Sequence, residues 1–171
     1  MNLQSTDFEL FGVPARFAQD LHALDARWKA LQREVHPDRF AAQGAAAQRV
    51  AAQWSARINE AYRRLKDPQR RAAYLCELNG APIQAETNTA MPAEFLMQQM
   101  TLREQLDDAR TEQDLDEIDR ESARMRHEEL QKIEQSIDAG RDWTAAAQSV
   151  RALMFLDKLA GEIERRRESV T

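Results

Sequence analysis

The sequence has little cysteine, glycine or proline and no long apolar run. A single cysteine, Cys76, excludes an internal disulfide framework, and no apolar run approaches the length of a membrane span or of a signal-peptide core. Only 5 Gly and 5 Pro occur in 171 residues, and β-branched residues are few, which favours helices almost throughout. No glycine-rich phosphate loop is present, so no ATP site is expected. A reducing compartment such as the cytoplasm is the default for such a chain.

The residues that are present predict an all-α protein with one ordinary domain or two small ones. Hydrophobic residues make up 43% of the chain, which is enough for a packed core, and charged residues make up 31%. The net charge of -5 hides an asymmetry. Residues 1–79 carry 12 Lys and Arg against 9 Asp and Glu, whereas the remainder carries 12 against 20. Two halves with different binding partners would have this charge pattern.

An amphipathic helix runs directly into the tripeptide His36-Pro37-Asp38. Its apolar stripe consists of Leu21, Leu24, Trp28, Leu31 and Val35. Proline removes a backbone donor and disfavours helical geometry in the residue before it, so the helix is expected to end here. The loop then holds an imidazole and a carboxylate on either side of a rigid ring, which suits recognition. A lone tripeptide of this kind is more often a helix end with solvated side chains, and the surrounding residues decide between the two interpretations.

A second apolar stripe follows the loop and is expected to pair with the first in an antiparallel hairpin. Its members are Val50, Trp54, Ile58, Ala61, Tyr62 and Leu65. Short helices are expected on either side of the hairpin. One begins at the capping residues Ser5-Thr6-Asp7, and the other begins at Asp67-Pro68 and ends at Asn79-Gly80.

Residues 7–76 resemble a complete J-domain. The resemblance rests on the His-Pro-Asp loop followed, at the spacing of that family, by 58–62 (Ile-Asn-Glu-Ala-Tyr), 67–68 (Asp-Pro) and 71–74 (Arg-Ala-Ala-Tyr). It implies docking on a DnaK-type chaperone and stimulation of its ATPase. On that resemblance, His36, Pro37 and Asp38 carry the activity. The implied steering charges are Lys29, Arg33 and Arg39.

A second domain is expected after a linker. The predicted organisation is a J-domain at 1–79, a linker at 80–91 that is rich in Pro, Thr and Asn, and a C-terminal domain at 92–171. Pro92 opens one helix, the capping-box-like segment 111–114 opens another, and Gly140 followed by Asp142 separates the second from a third. These signals predict a three-helix bundle.

The helix that begins at Pro92 is apolar on more than one face. Phe95, Leu102, Leu106 and Ala109 repeat at helical spacing and account for the bundle core. The side chains expected to project away from that core are Leu96, Met97 and Met100, beside Glu104 and Asp108. From the pattern alone, two interpretations remain open. The broad stripe packs against the J-domain or between neighbouring helices, or it is a binding patch for a protein partner.

The C-terminal segments 95–97, 102–104, 106–107 and 155–159 are similar to those of the HscB family of co-chaperones for iron–sulfur cluster biogenesis. The resemblance implies that the J-domain engages the specialised chaperone HscA, and that the bundle holds the iron–sulfur scaffold protein IscU for delivery during cluster assembly and transfer. The implied scaffold-binding residues are Leu96, Met97, Met100, Glu104, Asp108 and Phe155.

Other kinds of chemistry find little support. His22, His36 and His127 lie on separate predicted elements without clustered ligands, so neither a metal site nor a cofactor is expected. The run 165–167 of three arginines is typical of a solvated helix end, and no nucleic-acid or membrane partner is expected. The interpretation is a non-enzymatic adaptor. Two alternatives remain, namely a J-domain adaptor for a different folded client and an enzyme that uses His36 and Asp38 as a dyad.

Overall fold

The computed structural model describes residues 2–85 and 91–170, and every regular element in these ranges is a helix. The predicted all-α fold is confirmed. The chain divides into two compact units, Met1–Leu75 and Cys76–Thr171. The predicted boundaries of 1–79, 80–91 and 92–171 stay a prediction, and residues 86–90 of the predicted linker lie outside the described residues.

The N-terminal helices begin and end where local sequence signals place them. They are α1 (Asp7–Phe11), α2 (Leu21–Val35), α3 (Ala45–Lys66) and α4 (Pro68–Leu78), of which α4 runs across the division between the units. Thr6 Oγ1 accepts a hydrogen bond from the Glu9 amide at the start of α1, and the Asp20 carboxylate accepts from two amides at the start of α2. Residues Pro37–Gln43 form 3₁₀ turns, so α2 does end before the proline, as predicted.

Helices α2 and α3 form the antiparallel hairpin that the two stripes predicted. Trp28 of α2 donates to Asn59 of α3, and Tyr62 of α3 donates to Asp25 of α2, so residue numbers rise on one helix as they fall on the other. The hairpin buries apolar side chains of both helices in the interface between them. These fully buried residues are Leu24, Leu31, Ile58, Ala61 and Leu65.

Leu21 and Val50 were wrongly predicted as members of the buried stripes, because both are exposed. In the register set by Trp28 and Asn59, Leu21 lies opposite the last residue of α3, and Val50 lies opposite Pro37, beyond the end of α2. Each side chain therefore lies at or beyond the end of its partner helix and is incompletely covered by it.

A buried carboxylate ties the first helix to the hairpin. The fully buried Asp7 accepts hydrogen bonds from Arg64 Nε at 2.5 Å and Nη2 at 3.0 Å, and Arg57 Nη1 lies 2.8 Å from its Oδ1. Hydrogen bonding to Asp7 raises the pKa of the Arg64 guanidinium. The Asp7 amide donates to the Tyr74 hydroxyl at 3.0 Å, so one residue holds α1 against both α3 and α4.

The C-terminal unit contains the predicted three-helix bundle, made of α5 (Ala93–Asp108), α6 (Glu112–Glu134) and α7 (Trp143–Val170), with a π-helical turn at Gln135–Ala139. The capping box is confirmed: Thr111 Oγ1 accepts from the Asp114 amide, and Asp114 accepts from the Thr111 amide. Hydrogen bonds from the Arg110 and Thr111 amides hold the pKa of the Asp114 carboxyl below its usual value.

The bundle core is built from one stripe of each helix. Its larger buried side chains are Phe95, Leu102, Leu106, Leu115, Ile118, Met125, Ile133, Ile137, Val150, Leu153, Leu156, Leu159 and Ile163. Met154 of α7 is not part of this core, because its side chain is exposed. It directly follows Leu153, and neighbouring residues on a helix point about 100° apart.

Cys76 and the segment after α4 pack within the C-terminal unit. The Cys76 thiol is buried and lies 3.9 Å from the Trp143 carbonyl, and burial raises its pKa to about 11. Ile83 is also buried, and its carbonyl accepts a hydrogen bond from Arg151 Nε of α7 at 2.9 Å. The first part of the predicted linker is therefore attached to the bundle.

Candidate functional site

The loop after α2 presents His36 and Asp38 to solvent in a fixed local geometry. Their side chains are 57% and 91% exposed, and the Asp38 amide donates to His36 Nδ1 at 3.3 Å. This bond uses Nδ1 as the acceptor, so that Nε2 is the donor of the neutral imidazole. The His36 and Asp38 side chains lie 3.6 Å apart at Nδ1 and Oδ2 without an enclosing wall. Such exposure is suited to recognition by a partner and does not provide the water-excluded setting of acid–base catalysis.

The predicted steering charges divide into two kinds. Lys29 and Arg33 are exposed on α2, and neither is in an ion pair with another described residue. Arg39 is exposed as well, but its Nη1 donates to the Arg33 carbonyl at 3.0 Å. That carbonyl lies in the last turn of α2, where the helix provides no further amide to donate to it. Arg39 is therefore a cap that fixes the loop against α2 in addition to being a surface charge.

A polar network beneath this face was missed in the sequence. Gln32 Nε2 donates to Asn59 Oδ1 at 2.9 Å, Trp28 Nε1 donates to the same oxygen at 2.9 Å, and Ser55 Oγ donates to Gln32 Oε1 at 2.8 Å. The network fixes the register of α2 against α3 just before the loop. The available signal was that polar residues recur beside both apolar stripes, one helical turn apart.

An ion pair at the other end of the hairpin neutralises part of the basic face. Lys66 Nζ and the Tyr62 hydroxyl each donate to Asp25 Oδ1 at 2.5 Å. These bonds lower the pKa of Asp25, chiefly through Lys66, and raise the pKa values of Lys66 and Tyr62, chiefly through Asp25. Lys66 thus has an acidic partner within the hairpin, whereas Lys29 and Arg33, which lie nearer the loop on α2, are not paired with a described carboxylate.

The outer face of α5 carries exposed apolar side chains, as the sequence predicted. Leu96, Met97 and Met100 are 44%, 68% and 63% exposed, whereas Phe95 of the same turn is buried. Glu104 and Asp108 continue this face and are exposed as well. We call these five side chains, without Phe95, the α5 patch.

Phe155, the sixth predicted scaffold-binding residue, is half-buried on α7. Its ring meets the Phe95 ring edge-on with centroids 5.7 Å apart, and the Arg103 guanidinium lies 5.5 Å from its centroid. Arg103 also forms an ion pair with Glu162 of α7. The structure therefore connects Phe155 to the α5 patch through the core residue Phe95. The bridging role of Arg103 was not foreseen, although its position between Leu102 and Glu104 places it at the edge of the patch.

Comparison with known proteins identifies the family. A family model described as the HSCB C-terminal oligomerisation domain matches residues 91–164. A co-chaperone protein HscB homolog of Burkholderia multivorans is 48% identical over 166 residues, which cover 95% of this chain and 94% of that protein. The homolog of Bordetella petrii is 50% identical over 157 residues, covering 91% and 92%. The chain belongs to the HscB family of co-chaperones.

Solved HscB structures have the same fold. The chaperone HscB from Vibrio cholerae superposes with a TM-score of 0.86 at 38% identity and covers 97% of this chain and 100% of that chain. The human co-chaperone protein HscB gives a TM-score of 0.89, covering 98% and 84%, and at 24% identity this likeness shows the fold alone.

Membership of the HscB family assigns the protein its general role. The N-terminal unit is a J-domain, and the protein is a J-domain co-chaperone of iron–sulfur cluster biogenesis, which is a non-enzymatic role. In the part of the chain that the structure describes, no helix is both long and apolar enough to cross a membrane.

Proposed function

We propose that this co-chaperone stimulates the ATPase of the DnaK-type chaperone HscA through its J-domain and delivers the scaffold protein IscU, held on the C-terminal bundle. His36, Pro37, Asp38, Lys29, Arg33 and Arg39 contact the chaperone. The scaffold is held by the α5 patch together with Phe155. A cytoplasmic location is part of the proposal, in keeping with a single free cysteine.

The observation that carries the proposal is the exposure of three large apolar side chains beside a well-packed core. Leu96, Met97 and Met100 are exposed to water although Phe95 and Leu102 on the same helix are buried. A contiguous apolar surface of this kind is typical of a protein interface. Methionine side chains adapt to the shape of a partner, and the flanking Glu104 and Asp108 provide a polar rim.

The loop geometry supports the chaperone-binding half of the proposal. His36 and Asp38 are held by Pro37, by the bond from the Asp38 amide and by the Arg39 cap, so little conformational freedom is lost on docking. Lys29 and Arg33 then add an unneutralised positive face that attracts an acidic partner surface and accelerates encounter.

The two sites are useful together because they lie on one chain. A scaffold bound to the bundle is kept close to a chaperone bound to the J-domain, and its effective concentration there rises without any new contact. The proposal therefore expects more than additive stimulation of HscA when this protein and IscU are both present.

The test measures ATP hydrolysis by HscA with this protein, with IscU and with both. We expect His36→Gln to remove the stimulation while IscU binding is retained. A patch variant with Leu96→Ala, Met97→Ala and Met100→Ala should keep the stimulation by the J-domain and lose the synergy with IscU. Loss of both properties in both variants would contradict the division of labour. Equal synergy with an unrelated folded protein would favour the adaptor for a different client.

A further inference from the structure

An open groove of about 750 Å³ runs between α5 and α6 on the side of α5 that does not face α7. Its floor consists of the buried apolar side chains of Leu102, Ala109, Ile118 and Met125, and the exposed Met97 also lines it. Its acidic lining residues are Glu94, Asp108, Asp114, Glu117 and Glu121, and no Lys or Arg of the described chain lines it.

The groove exists because α5 offers α6 few apolar side chains along this edge. Gln98, Thr101 and Gln105 succeed one another there at helical spacing, and all three line the groove. The two helices are sealed against each other below, where Leu102 and Ala109 are buried. An apolar floor thus remains open between two polar walls.

Several carboxylates of the bundle outside the groove are neutralised by arginine. Asp116 and Asp119 pair with Arg167, and Asp157 pairs with Arg126. Within the groove, Glu121 is paired with Arg124, and Asp114 is used by the capping box.

Glu94, Asp108 and Glu117 are in no ion pair with another described residue. The groove therefore presents three uncompensated negative charges above an apolar floor. A ligand that complements it must bring positive charges together with apolar side chains.

We propose that this groove receives a basic, partly apolar segment of the scaffold protein, so that docking extends from the outer face of α5 across to α6. The inference rests on the proposed scaffold binding and assigns part of that interface to Glu94 and Glu117. Continuity supports this occupant, because Met97 and Asp108 belong to both the α5 patch and the groove. A partner seated on the patch lies at the opening of the groove, where lysine or arginine side chains meet the free carboxylates.

The experiment compares two double variants that lose the same charge. Glu94→Gln with Glu117→Gln neutralises the groove, whereas Glu77→Gln with Glu134→Gln removes two exposed carboxylates that do not line it. Calorimetric binding of purified IscU to the full chain is measured at low and high salt. We expect the groove variant to bind about three- to tenfold more weakly at low salt and with a shallower salt dependence, and the control to change by less than about twofold.

A third variant tests the sign of the charge. Gln105→Arg places a cation in the groove, and Gln131→Arg places one at an exposed site of α6 that does not line it. We expect weaker IscU binding only for Gln105→Arg. Thermal unfolding of each variant should match the wild type, because all the replaced side chains lie outside the core.

Each outcome supports or overturns a distinct statement. Equal binding by the groove and control variants would overturn the groove as a scaffold site, while loss of binding by the patch variant would leave the proposed function intact. If the patch variant binds normally, the proposed function fails at that surface. Sedimentation of the wild type and the groove variant tests the other possible occupant of the groove, a second copy of this chain. A self-association that Glu94→Gln with Glu117→Gln abolishes would show that the groove joins two copies of this chain, and would overturn the proposal.

Discussion

The patch variant separates a binding surface from a piece of the core. Leu96, Met97 and Met100 are exposed, whereas Leu102 on the same helix is 2% exposed. Replacing the first three together by alanine removes surface that a partner would bury. Replacing Leu102 by alanine removes surface that the bundle itself buries. Both variants replace residues of α5 by alanine, and they differ in whether the replaced side chains are exposed or buried.

The expected magnitudes are well separated. Truncation of an exposed side chain changes the free energy of unfolding by about 0.5 kcal/mol or less, whereas Leu102→Ala should cost about 2–5 kcal/mol and lower the melting temperature by about 5–15 °C. For IscU binding, loss of central apolar anchors costs about 1–2 kcal/mol each. The patch variant should therefore bind about a hundredfold more weakly, or worse.

The assay is calorimetric titration with IscU alongside thermal unfolding of the same preparations. The reasoning is refuted if the patch variant melts as early as Leu102→Ala, because its side chains would then be part of the packing. Unchanged affinity in a stable patch variant would remove the α5 patch as a docking surface. Phe155→Ala is a poor substitute, because its ring packs against Phe95 and its loss should cost about 1 kcal/mol of stability as well.

Three further predictions concern the J-domain. Charge reversal of Lys29 and Arg33 should slow association with HscA and flatten its salt dependence, measured by stopped-flow mixing, and an unchanged salt dependence would count against steering. Asp7→Asn should lower the free energy of unfolding by about 2–3 kcal/mol in urea titration, since buried arginine bonds are lost, and an effect below about 0.5 kcal/mol would refute the network's role. Asp25 has a lowered pKa, so its pairing stabilises the fold above about pH 4 and is lost as the pH falls further. Asp25→Asn should flatten the acid limb of stability against pH, and an unaltered limb would contradict this.

Local sequence signals were sufficient to predict where helices start and stop. Thr6, Thr111 with Asp114, and Pro37 each act within one turn of the chain, so their effects were foreseen at the correct residues. Whether a side chain is buried depends also on how far the partner helix extends. Leu21 fits its stripe, yet it is exposed because α3 has ended opposite it.

The candidate sites were predictable in part for the same reason. The exposure of Leu96 and Met97 follows from their angular distance from Phe95 on one helix. The capping bond of Arg39, the half-burial of Phe155 and the groove beside α6 depend on how separate segments approach one another. No periodicity within a single helix encodes those distances.

The buried Cys76 has a practical consequence for observing both interfaces. With its pKa raised to about 11, only about one thiol in ten thousand is ionised at pH 7, and the thiolate is the form that reacts with maleimide dyes. The native protein is therefore expected to remain almost unlabelled by such dyes. A cysteine introduced in place of the exposed Ala26 of α2 or Ala93 of α5, neither of which is a proposed contact, would be labelled alone, so a fluorophore could report the docking of each partner in real time. Cys76 would not need to be replaced, so the packing around it would be unchanged.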